Sequence, residues 1–221
     1  MMLCDAKWLG NILSGYSDQE ISPLLNIGSS SEKFRKEEKP HIHKYVFAPL
    51  ECRQVKVFHC DLKEADGVDI TADIFDNNTI KRLAYVRPKS IICTHMFEHV
   101  VNREELARRL ISLLPENGLL FITVPYSYHY HADPIDTMYR PSPEELALLF
   151  KEHEILGMEV LVGGTYWDLI RKRPFILFFR HFFRFFVPFI SFPRWKRSMK
   201  KLYWLFHHYK VSAVIVRKRK I

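Results

Sequence analysis

Residues 23–31 read Pro-Leu-Leu-Asn-Ile-Gly-Ser-Ser-Ser. The apolar run is too short for a helix and stops at Gly28 and three serines, which predicts a buried strand followed by a turn of small residues. Small side chains let the backbone approach a ligand, and the N–H groups of such a turn attract a carboxylate or phosphate.

Similar runs recur along the chain. Residues 55–61, 68–74, 90–94, 119–124, 155–162 and 210–217 each read as a strand rich in Val, Ile or Leu. Between the fourth and fifth, Leu106, Leu110, Ile111, Leu113 and Leu114 recur at helical spacing over 103–114, and Pro115 with Gly118 supplies the stop. Ser142-Pro143-Glu144-Glu145 opens a further helix, with Ser as the cap and Pro in the first turn. Continuous apolar strands alternating with helices predict an α/β fold, with a mostly parallel sheet covered on both faces. One link strains this reading. About six residues join Asp61 to Val68, where a parallel crossover usually needs about a dozen. Either the crossover is reduced to a loop or the third strand pairs differently.

The chain has 221 residues and is 48% apolar, ample for one core. Its cysteines, Cys4, Cys52, Cys60 and Cys93, form no C-x-x-C pair and no metal-ligand rhythm, the pattern of a reduced, cytoplasmic protein. No long apolar segment occupies residues 1–15, so no secretory signal is expected. Charge is unevenly placed. Residues 1–150 hold 17 Lys/Arg against 21 Asp/Glu, while 151–221 hold 16 against 4, with no acidic residue after Asp168. Such asymmetry marks a surface that meets an anionic partner, either phospholipid or nucleic acid.

In open α/β sheets, ligands lie outside the carboxyl ends of the strands, where strand order reverses. Asp61 ends the second strand, where a carboxylate can accept both hydroxyls of a ribose; a solvated strand-end Asp is the alternative. Asp73 ends the third and suits an adenine edge, or else caps a turn.

Asn26-Ile-Gly-Ser-Ser, His59-Cys-Asp61, Gly67-Val-Asp-Ile-Thr-Ala-Asp73, Phe97-Glu-His-Val100 and Leu114-Pro-Glu-Asn-Gly-Leu-Leu120 stand in the order of class I S-adenosylmethionine-dependent methyltransferases. The chain resembles that family over residues 22–165 and again at 210–217. It is most similar to members found among bacterial surface-polysaccharide genes, through His131, Asp133-Pro134, Asp136 and Arg140-Pro141 after the fifth strand. The resemblance implies a Rossmann-like seven-stranded sheet with its last strand antiparallel, and S-adenosylmethionine across the ends of strands one to four. Asn26, Gly28 and Ser30 would line the methionine end, Asp61 the ribose, Asp73 and Ile74 the adenine, and Thr94 and His95 the far wall. The family's first-motif acidic residue is Asn26 here, and its second glycine is Ser30.

Methyl transfer needs alignment, plus a base when the acceptor is a hydroxyl. His131 is the expected base, with Asp133 or Asp136 orienting it and Arg140 clamping an acidic acceptor. The plainer alternative is an Asp136–Arg140 ion pair that ties the loop down. No metal site is expected: His129 and His131 lack a completing cluster. His95-Met-Phe-Glu-His99 matches an inverted zinc-peptidase pattern, but it begins where a strand ends, and Glu98 and His99 read as the start of the next helix.

Residues 1–165 and 210–221 therefore form the expected methyltransferase domain, with 166–209 inserted as an aromatic, basic, helical segment between strands six and seven. Arg180 and Arg184 would each cost roughly 2.5–3.5 kcal/mol at a bilayer centre, which argues against a span. At helical spacing Arg173, Arg180 and Arg184 share one stripe, with Phe175, Phe178, Phe179, Phe182, Phe185 and Phe186 around the rest. This predicts a helix lying on an anionic membrane through residues 171–209. Packing on the sheet or a homodimer face is the alternative, and the density of Phe favours lipid over nucleic acid. The whole reading is transfer to a glycan or lipid-linked saccharide at the inner membrane, with a non-catalytic partner protein and an RNA-modifying enzyme as alternatives.

Overall fold

The computed structural model describes residues 1–130, 135–172, 175, 179, 182, 183 and 192–220. Among these lie seven strands: β1 (Leu24–Ile27), β2 (Val57–Asp61), β3 (Ile70–Thr71), β4 (Ser90–Thr94), β5 (Leu119–Ser127), β6 (Glu154–Val162) and β7 (Lys210–Arg217). They form one sheet in the order β3-β2-β1-β4-β5-β7-β6. The five strands from β3 to β5 are parallel, and β7 runs antiparallel to both β5 and β6. This is the expected Rossmann-like sheet.

Every residue of β1 is buried, as a central parallel strand with both faces covered requires. On one face, α1 (Leu3–Ser14) and the helical turns between Phe34 and Cys52 pack on Leu24, Ile92, Phe121 and Ile215. On the other, α2 (Asn77–Ala84), α3 (Arg103–Ser112) and α4 (Pro143–Ala147) cover Leu25, Ile91, Leu120 and Val214. Local sequence sets the helix starts. Asn102 accepts a hydrogen bond from Glu105 N at 3.1 Å, and Ser142 and Glu145 complete a reciprocal cap around α4.

The short link after β2 is resolved plainly: β2 and β3 pair in parallel, Cys60 with Ile70 and Asp61 with Thr71, and the crossover is a loop. The third strand is two residues long, shorter than the expected 68–74, because Val68 and Asp69 are spent in that loop and residues 72–74 leave the sheet for the turn before α2. Gly67 allows the loop to pass: its φ is +76°, and a Cβ there would lie 2.5 Å from Glu32 Cβ. Residues 97–99 form a separate 3₁₀ turn, and α3 begins only at Arg103, so Glu98 and His99 do not open that helix.

Between β6 and β7 lie α5 (Tyr166–Lys172) and α6 (Phe192–Tyr203). Arg173, Arg180, Arg184, Phe178, Phe185 and Phe186 fall outside the described residues, as does the stripe they were expected to form. Among the described residues, no helix is long and apolar enough to cross a membrane.

Helix α1 is held closely enough to test. Ala6 and Leu9 are fully buried, and a Cβ at Gly10 would sit 2.0 Å from the Tyr45 carbonyl oxygen. Gly10→Ala should therefore lower stability by about 1–3 kcal/mol in urea denaturation despite its better helix propensity. An unchanged midpoint would show that α1 does not press on the turn at Tyr45.

Candidate functional site

Strand order reverses at β1, whose neighbours are β2 on one side and β4 on the other. The crevice of such a sheet opens there, outside the carboxyl ends. Gly28, Asp61 and the Thr94–His95 junction all follow the ends of adjacent parallel strands, and so meet at that edge.

Gly28 has φ +73° and is exposed; the nearest atom to a Cβ built on it is Met96 Sδ, at 3.9 Å. The turn is thus open to an approaching ligand. Ser30, standing for the second glycine, adopts a left-handed φ of +56°. Its N–H donates to Asp61 Oδ2 at 2.7 Å, and Lys63 N–H donates to Oδ1 at 3.1 Å, fixing the carboxylate at the end of β2. Asn26 is buried and turned sideways, its amide donating to His59 Nδ1 at 3.1 Å. Burial, with the charge of Arg35 adding to it, pushes the His59 pKa down to about 4, which keeps Nδ1 free to accept. Asp73 is exposed and accepts from Phe75 N–H at 2.9 Å, so it caps its own turn. The Ile74 side chain is in the core, leaving its backbone for any contact with a ligand.

Arg35 organises this corner and was not singled out in the sequence. It is buried, and its guanidinium donates to Gly67 O at 2.7 Å, to Ser29 O at 3.1 Å and to Ser30 O. One side chain thereby clips the turn after β1 to the loop between β2 and β3. Nothing in the sequence around Arg35 distinguishes it from a solvated helix residue.

The second half of the edge is a line of ionisable groups. His95 has φ +53°, and its N–H donates to Thr123 O at 2.8 Å. Nε2 lies 2.6 Å from Asp5 Oδ2, and Nδ1 lies 3.4 Å from Glu98 Oε1. Both carboxylates have fully buried side chains, while the imidazole is 18% exposed. His99 Nε2 stands 3.8 Å from Glu98 Oε1, and its Nδ1 is 2.6 Å from Ile135 O. Burial and the Met1 amine act to lower the His95 pKa, but the attraction of Asp5 and Glu98 outweighs them and raises it above 6.5. Burial alone would raise Asp5 and Glu98; the neighbouring imidazolium outweighs it and lowers both. Asp5 lies on α1, ninety positions from His95.

On the expected acceptor side, His131 and Asp133 lie outside the described residues. Asp136 and Arg140 form a bidentate pair at 2.6 and 3.0 Å with both side chains largely buried, and Asp136 also accepts from Met138 N–H at 2.8 Å. The pair ties Arg140 to the turn at 136–138, the plainer of the two expected arrangements. Thr94 lies beside Thr123 in register. Tyr128, at the end of β5, contacts the rings of His129 and Tyr209, and Tyr209 stacks on Trp204. Among the described residues no group of three or more His, Cys, Asp or Glu side chains could hold a metal ion.

Comparison with known proteins agrees with this architecture. A structure of a SAM-dependent methyltransferase from Archaeoglobus fulgidus superposes with a TM-score of 0.51 at 13% identity, covering 96% of this chain and 94% of that one. The MccD protein superposes with a TM-score of 0.52 at 15% identity, covering 98% and 96%. At these identities the likeness shows the shared fold. No curated protein matches the sequence. A family model described as a methyltransferase domain matches residues 13–158, which contain β1 to β5, the serine turn, Asp61 and His95. The chain therefore belongs to the methyltransferase-domain family.

Proposed function

We propose that this protein transfers the methyl group of S-adenosylmethionine to a hydroxyl of a glycan or lipid-linked saccharide at a membrane surface. The observation that carries the first part is the meeting of Gly28, Asp61 and His95 at one edge of the sheet, with Gly28 itself exposed there. The residues fit such a cofactor. The Asp61 carboxylate, already aimed by two backbone N–H groups, retains lone pairs for ribose hydroxyls. The turn Gly28–Ser30, exposed at Gly28, would take the methionine end, and Asp73 with the backbone of Ile74 the adenine. S-adenosylmethionine, when bound, supplies a methyl group on a sulfonium whose departure leaves a neutral thioether. The Archaeoglobus protein of the same fold is described as SAM-dependent, in keeping with this reading.

A glycan or lipid-linked acceptor is favoured by the resemblance to polysaccharide-associated methyltransferases and by the inserted segment. Trp167, Phe175, Phe179, Phe182, Phe183, Phe192, Tyr203 and Phe206 are all exposed, beside a helix that carries Lys196 and Lys200 and no acid. Exposed aromatics set among cations suit an anionic bilayer surface, with rings at the headgroup level and positive charge beside lipid phosphate.

A second reading draws on Ser30. Its N–H already occupies Asp61, as it would in a methyltransferase-like partner protein that has no use for a cofactor.

Calorimetry with S-adenosylhomocysteine separates the two. The wild type should bind, and Asp61→Ala should weaken binding roughly 10–100-fold, the loss of charge-assisted hydrogen bonds worth about 1.5–3 kcal/mol. Absence of binding to the wild type would leave only the partner-protein reading. The membrane contact has its own check. The protein should sediment with vesicles containing phosphatidylglycerol and far less with phosphatidylcholine alone, and both Lys196→Glu/Lys200→Glu and Phe182→Glu/Phe183→Glu should stay in the supernatant. Equal pelleting of wild type and variants would rule out this surface.

A further inference from the structure

We propose that Arg35 is a positioning residue for the cofactor: its guanidinium fixes the spacing between the turn that takes the methionine end and the loop that leads to the adenine end. The inference rests on the cofactor reading above and deepens it. Arg35 lies in a π-helical turn, Phe34–Glu38, a rare geometry that often marks functional sites. Lys36 and Glu37 beside it are exposed, whereas Arg35 is only 5% exposed. Burying a cation is costly unless hydrogen bonds replace its water. Here the acceptors are main-chain carbonyls from two separate loops: Nη1 donates to Ser29 O at 3.1 Å and to Ser30 O, and Nη2 donates to Gly67 O at 2.7 Å. Glu32, one turn earlier, is paired with Lys36 instead.

Both loops need such a tie. The turn after β1 is gripped on its N–H side by β2: Gly28 and Ser29 donate to Cys60 O at 2.9 and 3.0 Å, and Ser30 donates to Asp61. Its carbonyl side is gripped by Arg35. The adenine side is held more lightly, because β3 is an edge strand that pairs with β2 through two residues only. Residues 32–35 reinforce it twice, since Glu32 N–H donates to Asp66 O at 2.8 Å beside the Arg35 contact to Gly67. A Cβ at Gly67 would lie 2.9 Å from Arg35 Nη2, so the absent side chain is what lets the guanidinium reach that carbonyl. From Gly67 the chain runs through Asp69, bonded in both directions to the backbone of His59, and through β3 to Asp73.

The residue type matters. A guanidinium is planar, with its donors splayed in a fixed fork, so the carbonyls it joins are kept at a set separation; an ammonium is a point donor on a flexible stem. A ligand that spans two loops gains affinity from joining its ends only while the loops keep the matching spacing. A ligand that touches one loop gains nothing from that spacing. Arg35 therefore acts on the whole cofactor and leaves either end, taken alone, nearly unaffected.

The test is calorimetry of two ligands on the full chain. S-adenosylhomocysteine spans both ends, whereas 5′-deoxy-5′-methylthioadenosine carries the ribose and adenine without the amino acid. The ratio of their affinities measures the gain from joining the ends, and a general loss of folded protein leaves that ratio unmoved. Arg35→Gln should cut the ratio about 10–100-fold through weaker S-adenosylhomocysteine, with methylthioadenosine staying within about threefold. Arg35→Lys keeps the charge without the fork, and its ratio should fall as well. Gly67→Ala should lower the ratio with Arg35 intact, and with Arg35→Lys it carries the comparison if Arg35→Gln does not fold. An unchanged ratio in folded Arg35→Gln, equal losses for both ligands, or a wild-type ratio in Arg35→Lys would each overturn the assignment. A wild type that binds neither ligand would instead sink the cofactor reading itself.

Discussion

Parallel pairing of β1 with both β2 and β4 is the constraint from which the site follows. Parallel neighbours deliver their carboxyl ends to the same edge, so Gly28, Asp61 and His95 become adjacent although they are far apart in sequence. The pairing also buries β1 on both faces, which is why Leu24, Leu25 and Ile27 carry no polar alternation. The turn that follows is built of small residues, with Gly28 exposed and Ser29 buried. Arg35 then substitutes for the rigidity that small residues lack, by drawing the carbonyls of Ser29 and Ser30 towards that of Gly67.

Two buried carboxylates beside one imidazole are a demanding arrangement. Desolvating either acid alone would cost several kcal/mol, and the opposite charge of His95 is what keeps both ionised. Removing His95 outright would leave two like charges in the core, whereas changing Asp5 to Asn removes one charge and keeps the shape. The same contact joins the first helix to the end of β4, so α1 is a wall of the crevice as well as a cover for the sheet.

Much of the fold could be read from residue order. The limits of β4 and β7 follow directly from continuous apolar runs, and the start of α3 is marked by its Asn102 cap. The third strand was overestimated because Val68 looks like a strand residue; only the pairing of β2 with β3 shows that it closes a loop. At the site, Gly28 and Asp61 were legible because strand ends are punctuated locally. Arg35 and Asp5 were not. Each acts across a long sequence separation on backbone or a ring, and an isolated Arg or Asp on a helix usually faces water. Glu98 was visible within His95-Met-Phe-Glu-His99, but its role depends on a 3₁₀ turn in place of a helix start.

The sheet also explains how an inserted surface segment could serve the crevice. Because β7 is antiparallel to β5 and β6, Lys210 pairs with both Ser127 and Val162, and all three lie at the carboxyl edge. The segment between β6 and β7 therefore leaves and returns beside the end of β5, on the side where an acceptor would approach. Ring contacts continue that link: Tyr203 touches Trp204, Trp204 stacks on Tyr209, and Tyr209 meets Tyr128 at the end of β5. An anionic surface bound through Phe182, Phe183 and Lys196 would thus hold this edge against the headgroups.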